Sequence, residues 1–257
     1  MERGGRAWRG WFALGAELTS GRPDWKEGIY FGAELDASDA RDRAGTPLHG
    51  ANLFPEMPGF RETVLAWMDA MTELGHALMR GIALSLDLPE AWFRERVTAD
   101  PVTLFRIFRY PALPPGDGET LWSVGEHTDY GLLTILLQDD CGGLEVKIDG
   151  NWIAAPPVAG SFVCNLGDML DRMTGGLYRS TPHRVRNAAR RSRLSFPFFF
   201  DPSWDARVRP VPGCPAARDD AHERWDRTSV HAFEGRYGDY LVAKVSKVFP
   251  ALRESVL

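Results

Sequence analysis

The sequence predicts a mainly β protein, a sandwich or barrel of short strands with flanking helices. Two patterns carry that expectation. After Asp100, short runs rich in branched and aromatic residues alternate with clusters of Gly, Pro, Asp and Asn. On either side of this stretch, apolar residues recur at three- and four-residue steps, the period of an amphipathic helix.

The first fifty or so residues are rich in Gly, Arg, Asp and Trp and hold no sustained period. They predict loop with short strands, one at Gly28-Ile29-Tyr30-Phe31. From Gly59 onward, Val64, Leu65, Met68, Met71, Leu74, Leu78, Met79, Ile82 and Leu86 fall on one face of a long helix. Leu88-Pro89-Glu90 predicts the start of a short helix, with proline where no amide hydrogen is missed. Strands are then expected at 102–110, 131–137, 143–148, 161–166, 183–187 and 193–200. Asp139-Asp140-Cys141-Gly142-Gly143 and Asp149-Gly150-Asn151 read as the turns between some of them. Asp168 to Met173 reads as a single helical turn capped by Asp168. In the tail, 230–249, Phe233, Tyr237, Leu241, Val245 and Val248 return to helical spacing. Three regions follow: 1–99 with a long support helix, a β core at 100–210, and a C-terminal helical segment at 211–257 packing on that core.

A chain of 257 residues is long enough for one large core. Its net charge of −5 supplies no basic field for nucleic acid or an anionic membrane. The longest apolar runs, such as 131–137, are too short to span a bilayer, and the first residues lack the apolar segment of a secretory signal. Three cysteines in no metal-like spacing argue against a disulfide framework. These features predict a reduced, cytoplasmic protein without nucleic-acid or membrane partners; a monomer is the expected state.

His127-Thr-Asp129 and the later His183 are the strongest chemical signal. Two imidazoles and one carboxylate can occupy one face of a ferrous ion and leave the opposite face open for O₂ and a co-substrate. If residues 127–129 form a strand, both side chains point the same way. The triplet alone fits better a strand-end turn in which Asp129 caps a backbone amide and His127 is solvated, and three such ligands plus water also suit zinc. His49, His76, His222 and His231 lack a comparable setting.

Arg193 and Ser195, two apart on an expected strand, share a face with Phe199. A guanidinium and a hydroxyl there can grip a carboxylate, which a hydrolytic zinc site would not need. A buried arginine without an anionic partner is costly, so a ligand is a physical expectation. The alternative is a solvated basic hairpin formed by Arg184, Arg186, Arg190, Arg191 and Arg193.

Taken together, Tyr110-Pro111, Gly125-Glu126-His127-Thr128-Asp129-Tyr130-Gly131-Leu132-Leu133-Thr134, Gly143-Leu144-Glu145-Val146, Asn165-Leu166-Gly167-Asp168-Met169-Leu170, Ser180-Thr181-Pro182-His183-Arg184-Val185 and Arg193-Leu194-Ser195 form one pattern. It closely resembles the isopenicillin N synthase-like branch of the 2-oxoglutarate/Fe(II)-dependent dioxygenases, over roughly residues 100–250. Weaker echoes, such as Gly21-Arg22-Pro23-Asp24-Trp25-Lys26-Glu27, reach toward the start.

The resemblance implies a double-stranded β-helix, or jelly roll, with an N-terminal part shorter than is usual in the family. It implies that His127, Asp129 and His183 bind iron, and that Arg193 and Ser195, completed by Tyr110, bind the distal carboxylate of 2-oxoglutarate. Phe199 matches a substrate-lining position; Tyr130, Arg109 and Tyr30 are further candidates for that pocket. The implied cofactors are Fe(II), 2-oxoglutarate and O₂. The implied reaction oxidises a small molecule, usually by hydroxylation, with release of succinate and CO₂. Phe108 stands where plant-type members carry asparagine, so the co-substrate's surroundings differ. Asp129 argues against the related halogenases. Gln138 is the only glutamine, so the synthase's C-terminal glutamine is absent and isopenicillin N synthesis is not expected. Two other readings stay open: an Fe(II)/O₂ oxidase that uses no 2-oxoglutarate, and an inactive jelly-roll binding protein.

Overall fold

The central strand of the molecule, Arg193–Ser203, alternates two kinds of side chain, and the architecture follows from it. A computed structural model describes residues 1–112, 122–187, 191–216, 218–224, 226–249 and 252. Within it the strands are β1 (Gly10–Phe12), β2 (Glu27–Gly32), β3 (Pro101–Tyr110), β4 (Val124–His127), β5 (Leu133–Gln138), β6 (Leu144–Ile148), β7 (Asn151–Ala154), β8 (Val163–Leu166), β9 (His183–Val185) and β10 (Arg193–Ser203). A six-stranded sheet runs β1-β2-β3-β10-β5-β8 and a four-stranded sheet runs β4-β9-β6-β7. All recorded pairings are antiparallel. The two sheets enclose one cavity, in the jelly-roll arrangement.

On β10, Arg193, Ser195, Pro197, Phe199 and Asp201 line that cavity. Phe198 and Phe200 point the other way and are fully buried. Behind them packs α2 (Phe60–Ser85), which follows the one-turn helix α1 (Ala40–Arg43) in the chain and buries Val64, Met68, Met71 and Met79 on one face, as the spacing predicts, together with Ala83. The helix approaches so closely at Gly75 that a β-carbon there would lie under 3.0 Å from the Phe200 ring. The β6–β7 turn places Asp149 (φ 49°) and Gly150 (φ 79°) in the left-handed region, as a two-residue primed hairpin requires.

Several elements differ from expectation. Strand β7 is exposed on both faces apart from a half-buried Trp152, so it has no alternation to read. The short helix α3 (Trp92–Arg96) begins after the proline, with Ala91 at its N-cap. The one-turn helix α4 (Asp168–Met173) has Gly167 as its N-cap. Asp168 is not the cap: its buried carboxylate accepts from Ser180 (2.9 Å) and Tyr240 (2.9 Å) instead. The tail forms a 3₁₀ turn at Val230–Ala232 and a helix, α5, only at Tyr237–Val248.

The expected boundary at 99/100 falls inside a continuous sheet, because β1 and β2 extend β3. The C-terminal end joins the same core: the Phe249 ring lies 6.0 Å from Trp8, 6.0 Å from Phe12 and 5.8 Å from Tyr30. Residues 253–257 and Arg190, which entered the expected tail and hairpin, lie outside the described residues. Among the described residues, no helix is long and apolar enough to cross a membrane.

Candidate active site

His127 ends β4 and His183 opens β9, and the register pairs them directly across the four-stranded sheet. Their rings lie 4.2 Å apart. Asp129 is not on the strand, contrary to the expectation of a shared strand face. β4 stops at His127 and its register with β9 shifts between Val124 and His127. The chain then turns, and the Asp129 carbonyl is held by the Asp168 amide at 2.8 Å. That turn still delivers the carboxylate: one donor atom from each of His127, Asp129 and His183 lies within 4.8 Å of the others.

Backbone carbonyls fix both imidazole rings. His127 Nδ1 meets the Gly125 carbonyl at 2.8 Å, and His183 Nδ1 meets the Thr181 carbonyl at 3.1 Å. A carbonyl only accepts, so each Nδ1 is the donor and each Nε2 presents a lone pair. Burial, followed by the neighbouring His183, pushes the His127 conjugate acid down to about 3, so its ring is neutral near neutral pH. Asn165 Nδ2 donates to Asp129 Oδ2 at 3.4 Å. Two imidazoles and a carboxylate, brought together in one cavity, are a donor set that fits Fe(II).

Further along the cavity stands Arg193, fully buried. Its Nε donates to the Gly142 carbonyl at 2.7 Å and its Nη2 to Gln138 Oε1 at 3.0 Å. Both acceptors are neutral, and Nη1 is buried with no partner. Among the described residues no carboxylate lies within ion-pair distance of it. Ser195 Oγ donates to the Tyr110 hydroxyl at 3.3 Å, and the guanidinium carbon lies 4.9 Å from the Tyr110 ring centre. Arg193, Ser195 and Tyr110 thus form one cluster, which fits the carboxylate of a ligand.

Phe199 and Tyr130 line the other end of the cavity. Arg109 does not. On β3 the side chains alternate, so Tyr110, Phe108, Arg106 and Leu104 face inward while Arg109 points to solvent and pairs with Glu27 at 2.6 Å. Tyr30 does not line the cavity either: it flanks Arg106 as its cross-strand partner, its ring 3.9 Å from the Arg106 guanidinium carbon. The sequence reading missed Glu17, Lys26, Arg106, Asp201, Leu241 and Val245, all of which line the cavity. Alternation outward from Tyr110 would have found Arg106; Lys26 lies in the 21–27 run that the resemblance touches without a role, and nothing in the aperiodic N-terminal stretch marks Glu17.

A jelly roll whose two sheets enclose a His-Asp-His cluster and a buried arginine defines a class, the non-haem iron oxygenases. Comparison makes the class specific. The model of the 2OG-Fe(II) oxygenase superfamily matches residues 102–202. A probable iron/ascorbate oxidoreductase of Dictyostelium discoideum is 51% identical over 281 residues, covering 100% of this chain and 77% of its own length. A homoarginine-6-hydroxylase of Oryza sativa subsp. japonica is 37% identical, covering 93% of this chain and 71% of its own. Among solved structures, a full-length protein of Neurospora crassa in complex with α-KG superposes with a TM-score of 0.76 at 29% identity, over 94% of this chain and 74% of that one. The chain belongs to the 2OG-Fe(II) oxygenase superfamily and is an oxidoreductase that uses Fe(II), 2-oxoglutarate and O₂.

Proposed function

We propose that His127, Asp129 and His183 hold Fe(II) and that Arg193, Ser195 and Tyr110 hold the distal carboxylate of 2-oxoglutarate. The substrate is then a small molecule lodged against Phe199 and Tyr130. The observation that carries this reading is the buried Arg193 with its partnerless Nη1, a cation awaiting an anion. Bound together, Fe(II) and 2-oxoglutarate supply the oxidising power, with O₂ consumed, succinate and CO₂ released and one oxygen atom delivered to the substrate.

The chain's own contribution is placement. The Gly125 and Thr181 carbonyls fix both imidazole rings, so the two Nε2 lone pairs converge without reorganisation. Gln138 and Gly142 fix the Arg193 fork and leave one edge free for a carboxylate. The Tyr110 hydroxyl, engaged by Ser195, adds a donor beside that edge. Burial of the cluster excludes water and strengthens each of these contacts. Hydroxylation is the outcome this placement serves, and it accords with the hydroxylase among the relatives. We further propose a monomer in a reducing compartment such as the cytoplasm; the free thiols Cys141, Cys164 and Cys214 support the compartment.

The test is an anaerobic titration with Fe(II) and 2-oxoglutarate, read from the visible charge-transfer band. Wild type is expected to develop the band. Arg193→Ala is expected to weaken 2-oxoglutarate affinity by about 10- to 100-fold, the loss of a charge-assisted bond in a buried site. Undiminished affinity in Arg193→Ala would remove the arginine from the co-substrate site.

A further inference from the structure

The cavity holds a second buried arginine whose bonds are also incomplete, and it lies away from the co-substrate cluster. Arg106 sits on β3 four residues before Tyr110, so the two are separated along the strand by roughly 13 Å. Both face the same cavity. Arg106 is 9% exposed, and its Nη1 donates to Glu17 Oε1 at 3.1 Å. Its Nε is buried with no partner.

The guanidinium plane is fixed by aromatic rings. Its carbon lies 3.9 Å from the centre of Tyr30, 4.9 Å from Phe199 and 5.5 Å from Phe108. These rings strip water from its faces and leave only its edge for hydrogen bonding. Glu17 neutralises it only in part. That carboxylate also takes Lys26 at 2.8 Å and the Tyr30 hydroxyl at 3.2 Å. Of the other carboxylates nearby, Asp24 is committed to Lys26 at 3.0 Å and to Thr19, Asp129 belongs to the His-Asp-His cluster, and Asp201 accepts from Tyr237. Arg106 therefore combines a fixed orientation, a dry environment and unspent hydrogen-bonding capacity, at the end of the cavity where Phe199 and Tyr130 receive the substrate.

We propose that Arg106 is a specificity-determining residue that takes a carboxylate of the substrate, and that this oxygenase acts on small carboxylic acids, amino acids among them. Glu17 is its positioning residue, holding the guanidinium edge toward the cavity. The inference rests on the reading given under Proposed function, since it places the substrate beside the co-substrate. Two arginines at opposite ends also explain how the site keeps two carboxylate ligands apart: Arg193 anchors one and Arg106 the other.

The experiment screens α-amino acids and straight-chain carboxylic acids, each beside its primary amide, for stimulation of 2-oxoglutarate decarboxylation by the intact protein. Stimulation is expected from an acid and not from its amide. With that acid, Arg106→Leu and Arg106→Gln are expected to raise KM by about 10- to 100-fold. Arg106→Lys is expected to recover part of the loss, because the charge returns without the fork. All three are expected to keep the wild-type affinity for 2-oxoglutarate in the anaerobic titration. The Gln and Lys variants preserve polarity and guard against a folding defect in the Leu variant. An amide that stimulates as well as its acid overturns the proposal. So does an unchanged KM in the folded variants, or a wild-type protein that binds 2-oxoglutarate yet responds to no acid in the panel. Failure of wild type to bind 2-oxoglutarate would instead overturn the underlying reading.

Discussion

Asn165 reaches from β8 to Asp129 Oδ2 across 3.4 Å, and this contact orients the carboxylate after the chain has left the strand. The imidazoles need no such help, since each is fixed by a carbonyl two residues earlier in its own chain. Asn165 is therefore a side chain outside the cluster whose removal is expected to reach metal affinity. Outer hydrogen bonds to ligands are generally worth about 10- to 100-fold in metal affinity, and a long one belongs near the low end. Asn165→Ala is expected to weaken Fe(II) binding by about tenfold, measured by anaerobic titration, while leaving the melting temperature nearly unchanged. Unaltered metal affinity would mean that the carboxylate is set without Asn165. Arg193 and Arg106 show the same logic on cations: in each, neighbours fix the plane, and a buried nitrogen is left without a partner.

Between elements, the contact that keeps the cavity in shape is α2 against β10. Gly75 lets the helix backbone ride over the Phe200 ring, and Phe200 shares its strand with the cavity-lining Phe199 and Asp201. A helical Gly→Ala change ordinarily gains up to about 1 kcal/mol. Here the added carbon would lie under 3.0 Å from a fully buried ring that cannot swing aside. Overpacking costs about 1–3 kcal/mol, so the clash wins. Gly75→Ala is expected to lower stability by about 1–2 kcal/mol in denaturant unfolding, and an increase would show that α2 lifts off the sheet without penalty.

The helix itself was legible because Val64, Met68, Met71 and Met79 repeat against a buried sheet. The strands that carry Arg193 and His183 were legible for a similar reason, with branched residues bounded by turn chemistry. Legibility ended where an element lacks a one-sided environment or a side chain leaves its element. β7 is too exposed to alternate, and Asp129 lies beyond the end of its strand. Arg109 fails as a pocket residue because the two-residue period, counted back from the inward Tyr110, sends it to solvent. Glu17 and Lys26 come from loop and strand edge that only the tertiary fold carries to the cavity.

At the scale of the whole molecule, the cavity is a concentration of buried ionisable groups, and two of them pull stability in opposite directions with pH. Burial opposes charge on Glu17, but Lys26, Arg106 and Tyr30 outweigh it and hold the carboxyl down at about 2, against 4.5 ordinarily. Its contribution is present above the ordinary value and is lost as pH falls through the folded one. Asp201 behaves in reverse. Burial pushes its carboxyl up to about 7 from 3.8, even though the Tyr237 hydroxyl donates to it. Between those two values the folded chain binds more protons than the unfolded chain, so the stability linked to this group declines as pH rises. Asparagine keeps an acceptor for Tyr237 and cannot ionise. In the metal-free protein, wild type is therefore expected to lose about 1–4 kcal/mol more stability than Asp201→Asn as pH is raised from about 4 to about 7. Denaturant unfolding of both proteins across that range measures the difference directly. Parallel curves would mean that Asp201 is already ionised in the folded chain at low pH, its charge stabilised by Tyr237 and the nearby Arg106.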